Sequence, residues 1–163
     1  MRRPHPFYRN PFHAATVVPG RIDMGVDYHG YGPICAIGRA KIIGNGGAGW
    51  PGGHYLLYQL LRGRHRGRYV YVAEAITPCV VAGQIVRKGQ RIADFGADAK
   101  PGTYPGIETG WSSPILNLTL AAQMGNTGGA DHADSPAGLA FARFLRRIGA
   151  PVTAVSPGRE YPK

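Results

Sequence analysis

Acidic residues are scarce in this chain. Nine Asp and Glu stand against nineteen Lys and Arg in 163 residues, a formal net charge of +10. The deficit excludes an acidic solvating tail and predicts attraction to polyanions such as nucleic acid, teichoic-type wall polymers or anionic lipid. Much of the positive charge sits in two runs, LRGRHRGR at 61–68 and RFLRRIG at 143–149. A solvated surface accounts for such runs as well as a binding patch does. No recognised nucleic-acid motif accompanies them, so nucleic acid is not the expected partner. Cysteine is nearly absent: Cys35 and Cys79 both lie in apolar text, lack metal-ligand spacing and read as buried free thiols. Also missing is any apolar run near the ~18–20 residues that a membrane span requires. The opening MRRPHPFYRNPFH is basic with no apolar stretch behind it, and is not read as a signal peptide. A site of action outside the cell would then need a removed leader or a phage-type release.

Glycine (25) and proline (14) are abundant, which favours short strands joined by many turns. The length suits one domain. Residues 1–13 read as a basic extended arm and 14–163 as a single domain. The β pattern runs through ATVV, ICAIGRAKIIG, HYLLYQLL, RYVYVAEAI and CVVAGQIVRKGQRIADFG, rich in β-branched and aromatic residues with Gly or Pro at their ends. The loop NGGAGWPGG at 45–53 carries Trp50, and ADAKPGTYPG at 97–106 delivers GIETGW. One helix is expected over 135–148, with Ser135 as N-cap, Pro136 in the first turn and Gly149 and Pro151 ending it. Its apolar stripe would be Leu139, Phe141, Phe144, Leu145 and Ile148. ILNLTLAAQMG at 115–125 is ambiguous between strand and helix.

The most specific text is VVAGQIVRKGQRIADFG at 80–96. It resembles the V-x-x-G-x-x-V-x-x-G-Q-x-I hairpin of the lysostaphin-type zinc endopeptidases, matched at Val80, Gly83, Val86, Gly89, Gln90 and Ile92. Upstream, GVDYHGYGPICAIGRAKII is similar to the same family's G-x-D…G-x-P-V-x-A…G-x-V. The resemblance covers roughly 20–111. It implies an all-β, lysostaphin-type antiparallel sandwich with the duplicated-hybrid-motif fold, plus the C-terminal helix, and a bacterial cell-wall polymer as partner.

The family's zinc aspartate falls on Asp27, but its preceding histidine falls on Asp23. Its central-strand histidine falls on Glu74, and its His-x-His pair on Gly106 and Glu108. The resemblance therefore implies a degenerate or repurposed zinc site, with no zinc cofactor and no peptidase chemistry of the usual kind. Imidazole and thiolate suit zinc, whereas an all-carboxylate set suits calcium or magnesium. His29 and His54 are the histidines able to approach this cleft, although loop histidines more often face solvent.

Clustered carboxylates raise one another's pKa unless cations or hydrogen bonds compensate. Three arrangements answer that requirement. One is glycosidase-like acid–base chemistry on wall glycan, with Glu74 as general acid, Asp27 or Glu108 as base or nucleophile, and Asp23 as electrostatic partner. Trp50, Trp111 and Tyr28 would then stack on sugars. The second is a divalent-cation site. The third is a non-catalytic wall-binding or assembly module, its acids neutralised by Arg21 and other basic residues. Oligomeric state is left open.

Overall fold

A computed structural model describes residues 3–46, 50–112 and 135–153. The ambiguous stretch at 115–125 lies outside the described residues. Ten strands are formed: β1 (Thr16–Ile22), β2 (Val26–Tyr31), β3 (Pro33–Cys35), β4 (Ala40–Gly46), β5 (Tyr55–Leu60), β6 (Tyr69–Glu74), β7 (Ile76–Pro78), β8 (Ile85–Val86), β9 (Arg91–Phe95) and β10 (Ile107–Ser112). Among the described residues one α-helix follows, α1 (Pro136–Arg147). A seven-stranded antiparallel sheet runs β1-β2-β10-β6-β5-β4-β8, and a small second sheet runs β3-β9-β7. The all-β class with one C-terminal helix is what the sequence led us to expect.

Alternation along the central strands builds two layers of core on opposite faces of the large sheet. In β6, Val70 and Val72 belong to the main core, while Tyr71 and Ala73 join Trp50, Tyr55 and Leu57 on the other face. In β10, Ile107 and Trp111 face the main core. Helix α1 closes that core with Phe141, Ala142, Phe144 and Leu145, and Leu139 and Ile148 pack at its edge. Its N-cap is the expected one: Ser135 Oγ accepts from the Gly138 N–H at 2.9 Å.

Two expectations change. The N-terminal arm forms no regular element among its described residues, but it is no free extension: Tyr8 and Phe12 are buried in the main core. Its backbone is stitched down by Arg9 N–H to Ile37 O and by Cys35 N–H to Pro11 O. Aromatic side chains with that much apolar area to bury draw an otherwise irregular segment onto the sheet. Both cysteines are free, as expected, but only Cys35 is buried. Cys79 is exposed, because it lies beyond the end of β7 at the edge of the small sheet.

Candidate functional site

β2 and β10 are neighbours in the large sheet, with Glu108 directly opposite Asp27. Period-2 alternation puts both carboxylates on the face away from α1, because Tyr28 and Ile107 occupy the main core. Asp23 comes from the turn between β1 and β2, where its backbone N–H bonds Gly25 O at 3.0 Å. Its carbonyl is held by the α1 cap: Ser135 N–H and Oγ–H donate to Asp23 O at 3.1 and 2.6 Å. Sheet register and a helix cap thus bring three acids together, with one ligand atom from each of Asp23, Asp27 and Glu108 within 4.8 Å of the others.

Arg21, at the end of β1, reaches into this group. Its Nε lies 3.0 Å from Asp23 Oδ2 and 3.0 Å from Asp27 Oδ2. On the other side Tyr71 donates its hydroxyl to Glu108 Oε1. Room for that phenol comes from two glycines. A Cβ on Gly25 would meet the Tyr71 hydroxyl at 2.4 Å, and one on Gly110 would meet the ring at 2.8 Å. Behind Tyr71 stand Tyr55, stacked at 5.7 Å, and Trp50, 5.5 Å away.

Burial sets the electrostatics. Asp23 and Glu108 are almost fully enclosed, whereas the Asp27 side chain retains 17 % exposure. Desolvation, then repulsion from Asp23, pushes the Asp27 pKa up to about 7, and Arg21 and a hydrogen bond with Glu108 hold it from rising further. Glu108 is raised well above the usual carboxylate range by burial first, then by Asp27 and Asp23, with a smaller push from Glu74. Near neutral pH Glu108 therefore keeps its proton and Asp27 is poised to gain or lose one. Tyr71 is likewise raised by burial and by Glu108, and stays a hydrogen-bond donor.

Glu74 ends β6 opposite Ile107. Strict alternation would turn it away from Tyr71. Instead its backbone adopts φ 81°, the one described non-glycine residue in the left-handed region, and its charge is felt at Glu108. A left-handed glutamate costs about 1–3 kcal/mol. The backbone N–H of Glu74 is fixed to His54 O at 2.8 Å.

The aromatic assignments divide. Trp50 lies on the carboxylate face, but it is buried against Tyr55 and Tyr71, and its ring backs the wall behind Glu108. Tyr28 and Trp111 are on the opposite face. Tyr28 is fully buried, packs on Phe12 and donates to Pro151 O at 2.7 Å. Trp111 stacks on Phe144 and lies under Arg68, 3.8 Å from its guanidinium carbon. Both corrections follow from parity: residues one and three positions from a site-facing carboxylate face the other way.

His29 and Tyr71 are the residues that the sequence reading undervalued. His29 lies two positions after Asp27 on the same face of β2, and its Nε2 donates to Thr103 O at 2.8 Å. It fills the space beside Gly106, where an added Cβ would come within 2.9 Å of the imidazole. The period-2 pattern of YVYVAE could have put Tyr71 on the site face. Finding its partner required the strand register.

The donor set is all oxygen, and a guanidinium already sits between two of the three carboxylates. Zinc, which prefers nitrogen and sulfur ligands, is a poor fit to these residues.

No protein-family profile matches the sequence, and no curated protein does. Solved structures do. The antimicrobial peptidase lysostaphin from Staphylococcus simulans superposes with a TM-score of 0.61 at 17% identity, over 98% of this chain and 61% of that one. A solution structure of lysostaphin gives a TM-score of 0.58 at 16% identity, over 97% and 60%. The chain thus has a lysostaphin-like fold and spans less than two thirds of that protein's length.

Proposed function

We propose that this chain is a hydrolase directed at bacterial cell-wall glycan, which uses carboxyl groups for acid–base work on a lysostaphin-like fold. The observation that carries the reading is the Asp27–Glu108 pair. A carboxyl poised near pH 7, held beside a buried one that keeps its proton, is the arrangement that a general base needs. Asp27 is the base or nucleophile, because it alone of the three clustered acids reaches solvent. Glu108 positions Asp27 through their hydrogen bond, Asp23 with Arg21 sets the local field, and Glu74 is the general acid. The left-handed backbone of Glu74 supports that role, since strain of this kind concentrates at working sites. The wall as target is an inference from lysostaphin, an antimicrobial peptidase.

A second reading, a non-catalytic wall-binding or assembly module, is favoured by Arg21. Its single guanidinium pairs with two of the acids, as a purely structural network would. Digestion of purified bacterial cell wall, with products read by mass spectrometry, separates the two. Sugar fragments with new reducing or anhydro ends are expected, and Glu74→Gln should abolish them. Peptide products would contradict the acid–base assignment. Wall binding without products, preserved in an Asp23→Asn/Glu74→Gln/Glu108→Gln variant, would establish the module instead.

A further inference from the structure

The two basic runs, far apart in sequence, meet in the fold. Arg64 and His65 from the first and Arg147 from the second line a cavity of about 80 Å³, closed by His5 and Tyr8 of the N-terminal arm. A cavity of that size has room for a phosphate-sized group. A second cavity, of about 200 Å³, is lined by the intervening residues of the same arm segment. Arg39, Arg62 and Lys88 line it beside Pro6 and Phe7.

The arm segment that lines both cavities is fixed. The Tyr8 hydroxyl donates to Arg62 O at 2.9 Å and accepts from the His65 N–H at 2.7 Å. Lys88 Nζ donates to His5 O and Pro6 O at 3.3 and 3.0 Å. His5 Nδ1 accepts from the backbone N–H of Phe7 and Tyr8, so its proton sits on Nε2 and is available as a donor.

Among the described residues, positive charge is concentrated here and no carboxylate pairs with it. The ion pairs among the described residues join Arg21 to Asp23 and Asp27, and Arg91 to Asp94; none involves these cavities. The His65 pKa is lowered by burial first, then by Arg68, Arg64 and Arg147, an independent sign of crowded cations. The C-terminal end of α1 adds about half a negative charge nearby, and the full charges of Arg146 and Arg147 in its last turn outweigh it.

We infer that these paired cavities bind successive phosphodiester groups of a polyanion whose repeating units are small polyols. Two basic cavities lined by consecutive residues of one arm segment suit a chain of phosphates rather than a lone ion. Nucleic acid fits less well. Stacking on successive bases needs several free ring faces; Tyr8, Trp111 and Phe144 are buried, which leaves the exposed Phe7 as the single free Phe, Tyr or Trp ring lining the two cavities. The smaller cavity takes in the C-terminal end of α1, whereas the α1 N-cap holds Asp23, and twelve residues at 1.5 Å each put those two helix ends on the order of 18 Å apart. Its occupancy does not depend on catalysis at the carboxylates.

The test is calorimetric titration of the full chain with poly(glycerol phosphate) at several salt concentrations. Uncharged dextran and single-stranded DNA of equal charge serve as comparisons. Arg64→Gln/Arg147→Gln should weaken poly(glycerol phosphate) binding about tenfold or more at low salt and reduce the logarithmic salt slope by about 2. Arg87→Gln/Arg143→Gln, which removes the same charge from exposed positions outside both cavities, should leave affinity within about threefold. Equal losses in the two double variants would reduce the effect to diffuse attraction and overturn the site. Tighter binding of DNA with the same variant dependence would assign the surface to nucleic acid instead. No binding of poly(glycerol phosphate) at low salt would also overturn it.

Discussion

Asp27 offers the sharpest physical test, because its proton is linked to folding. An unfolded-chain aspartate titrates near 3.8, and the folded group near 7. Between those values the native state holds a proton that the unfolded chain has released, so stability falls as pH rises across the window. Below about 4 both states are protonated and above about 7 both are ionised, so the slope vanishes at each end. Three units at 1.36 kcal/mol each give roughly 4 kcal/mol as the upper limit of the loss. For a chain of this size that is on the order of 10 °C in Tm. Other groups titrate too: Asp94 has a lowered pKa, which costs stability in acid, and the lowered His65 pKa adds stability as pH rises through its range. The quantity to measure is therefore the difference between the wild type and Asp27→Asn, by chemical denaturation from pH 4 to 8. The variant should gain on the wild type by up to roughly 4 kcal/mol across that range. A carbon-13 titration of the Asp27 carboxyl gives the midpoint directly. A flat difference, with a midpoint near 4, would refute the assignment of a desolvated, repelled carboxylate and take the acid–base proposal with it.

Other consequences follow from the same contacts. Arg21→Gln removes the cation that holds Asp27 down, so the carboxyl midpoint should move above 7; a fall would show that Arg21 is not its counter-ion. Gly110→Ala drives a methyl into the Tyr71 ring, and should destabilise the fold by about 1–3 kcal/mol in urea unfolding while disturbing the Tyr71–Glu108 bond. Ser135→Ala removes both the α1 cap and the hydroxyl held to Asp23 O, and a loss of about 1–2 kcal/mol is expected in the same assay. Equimolar zinc should leave Tm unchanged. A rise of several degrees, reversed by chelation, would mean that the oxygen cluster displaces Arg21 to take the metal.

The parts legible in the sequence were those written in local rules. Ser135, Pro136 and Gly149 marked the helix because capping chemistry is read residue by residue. Asp23, Asp27 and Glu108 were brought together by a motif template, and the structure places one carboxylate oxygen of each within 4.8 Å of the others. Parity along β2 and β10 was equally available, and would have removed Tyr28 and Trp111 from the sugar-stacking group. Tyr71 was harder, because its role depends on β6 lying beside β10, which no local pattern states. The burial of Tyr8 and Phe12 depends likewise on where the arm crosses the sheets. Glu74 shows the limit from the other side: its position was found by template, but a left-handed glutamate has no signature in YVAEAI.

The glycine at 106 bears on any attempt to turn this scaffold into a metalloenzyme. Replacing Asp23 and Glu108 by histidine would supply imidazoles, yet leave the guanidinium of Arg21 in the space where an ion would sit. A third imidazole at Gly106 meets a harder obstacle. That residue has φ +81°, and its missing side chain is what makes room for His29, so a substituent there would be both strained and displaced. A conversion would have to rebuild five positions at once, Arg21, Asp23, His29, Gly106 and Glu108, with His29 of β2 changed before Gly106 could carry a side chain. The scaffold is locked against small steps toward a metal by a residue with no side chain.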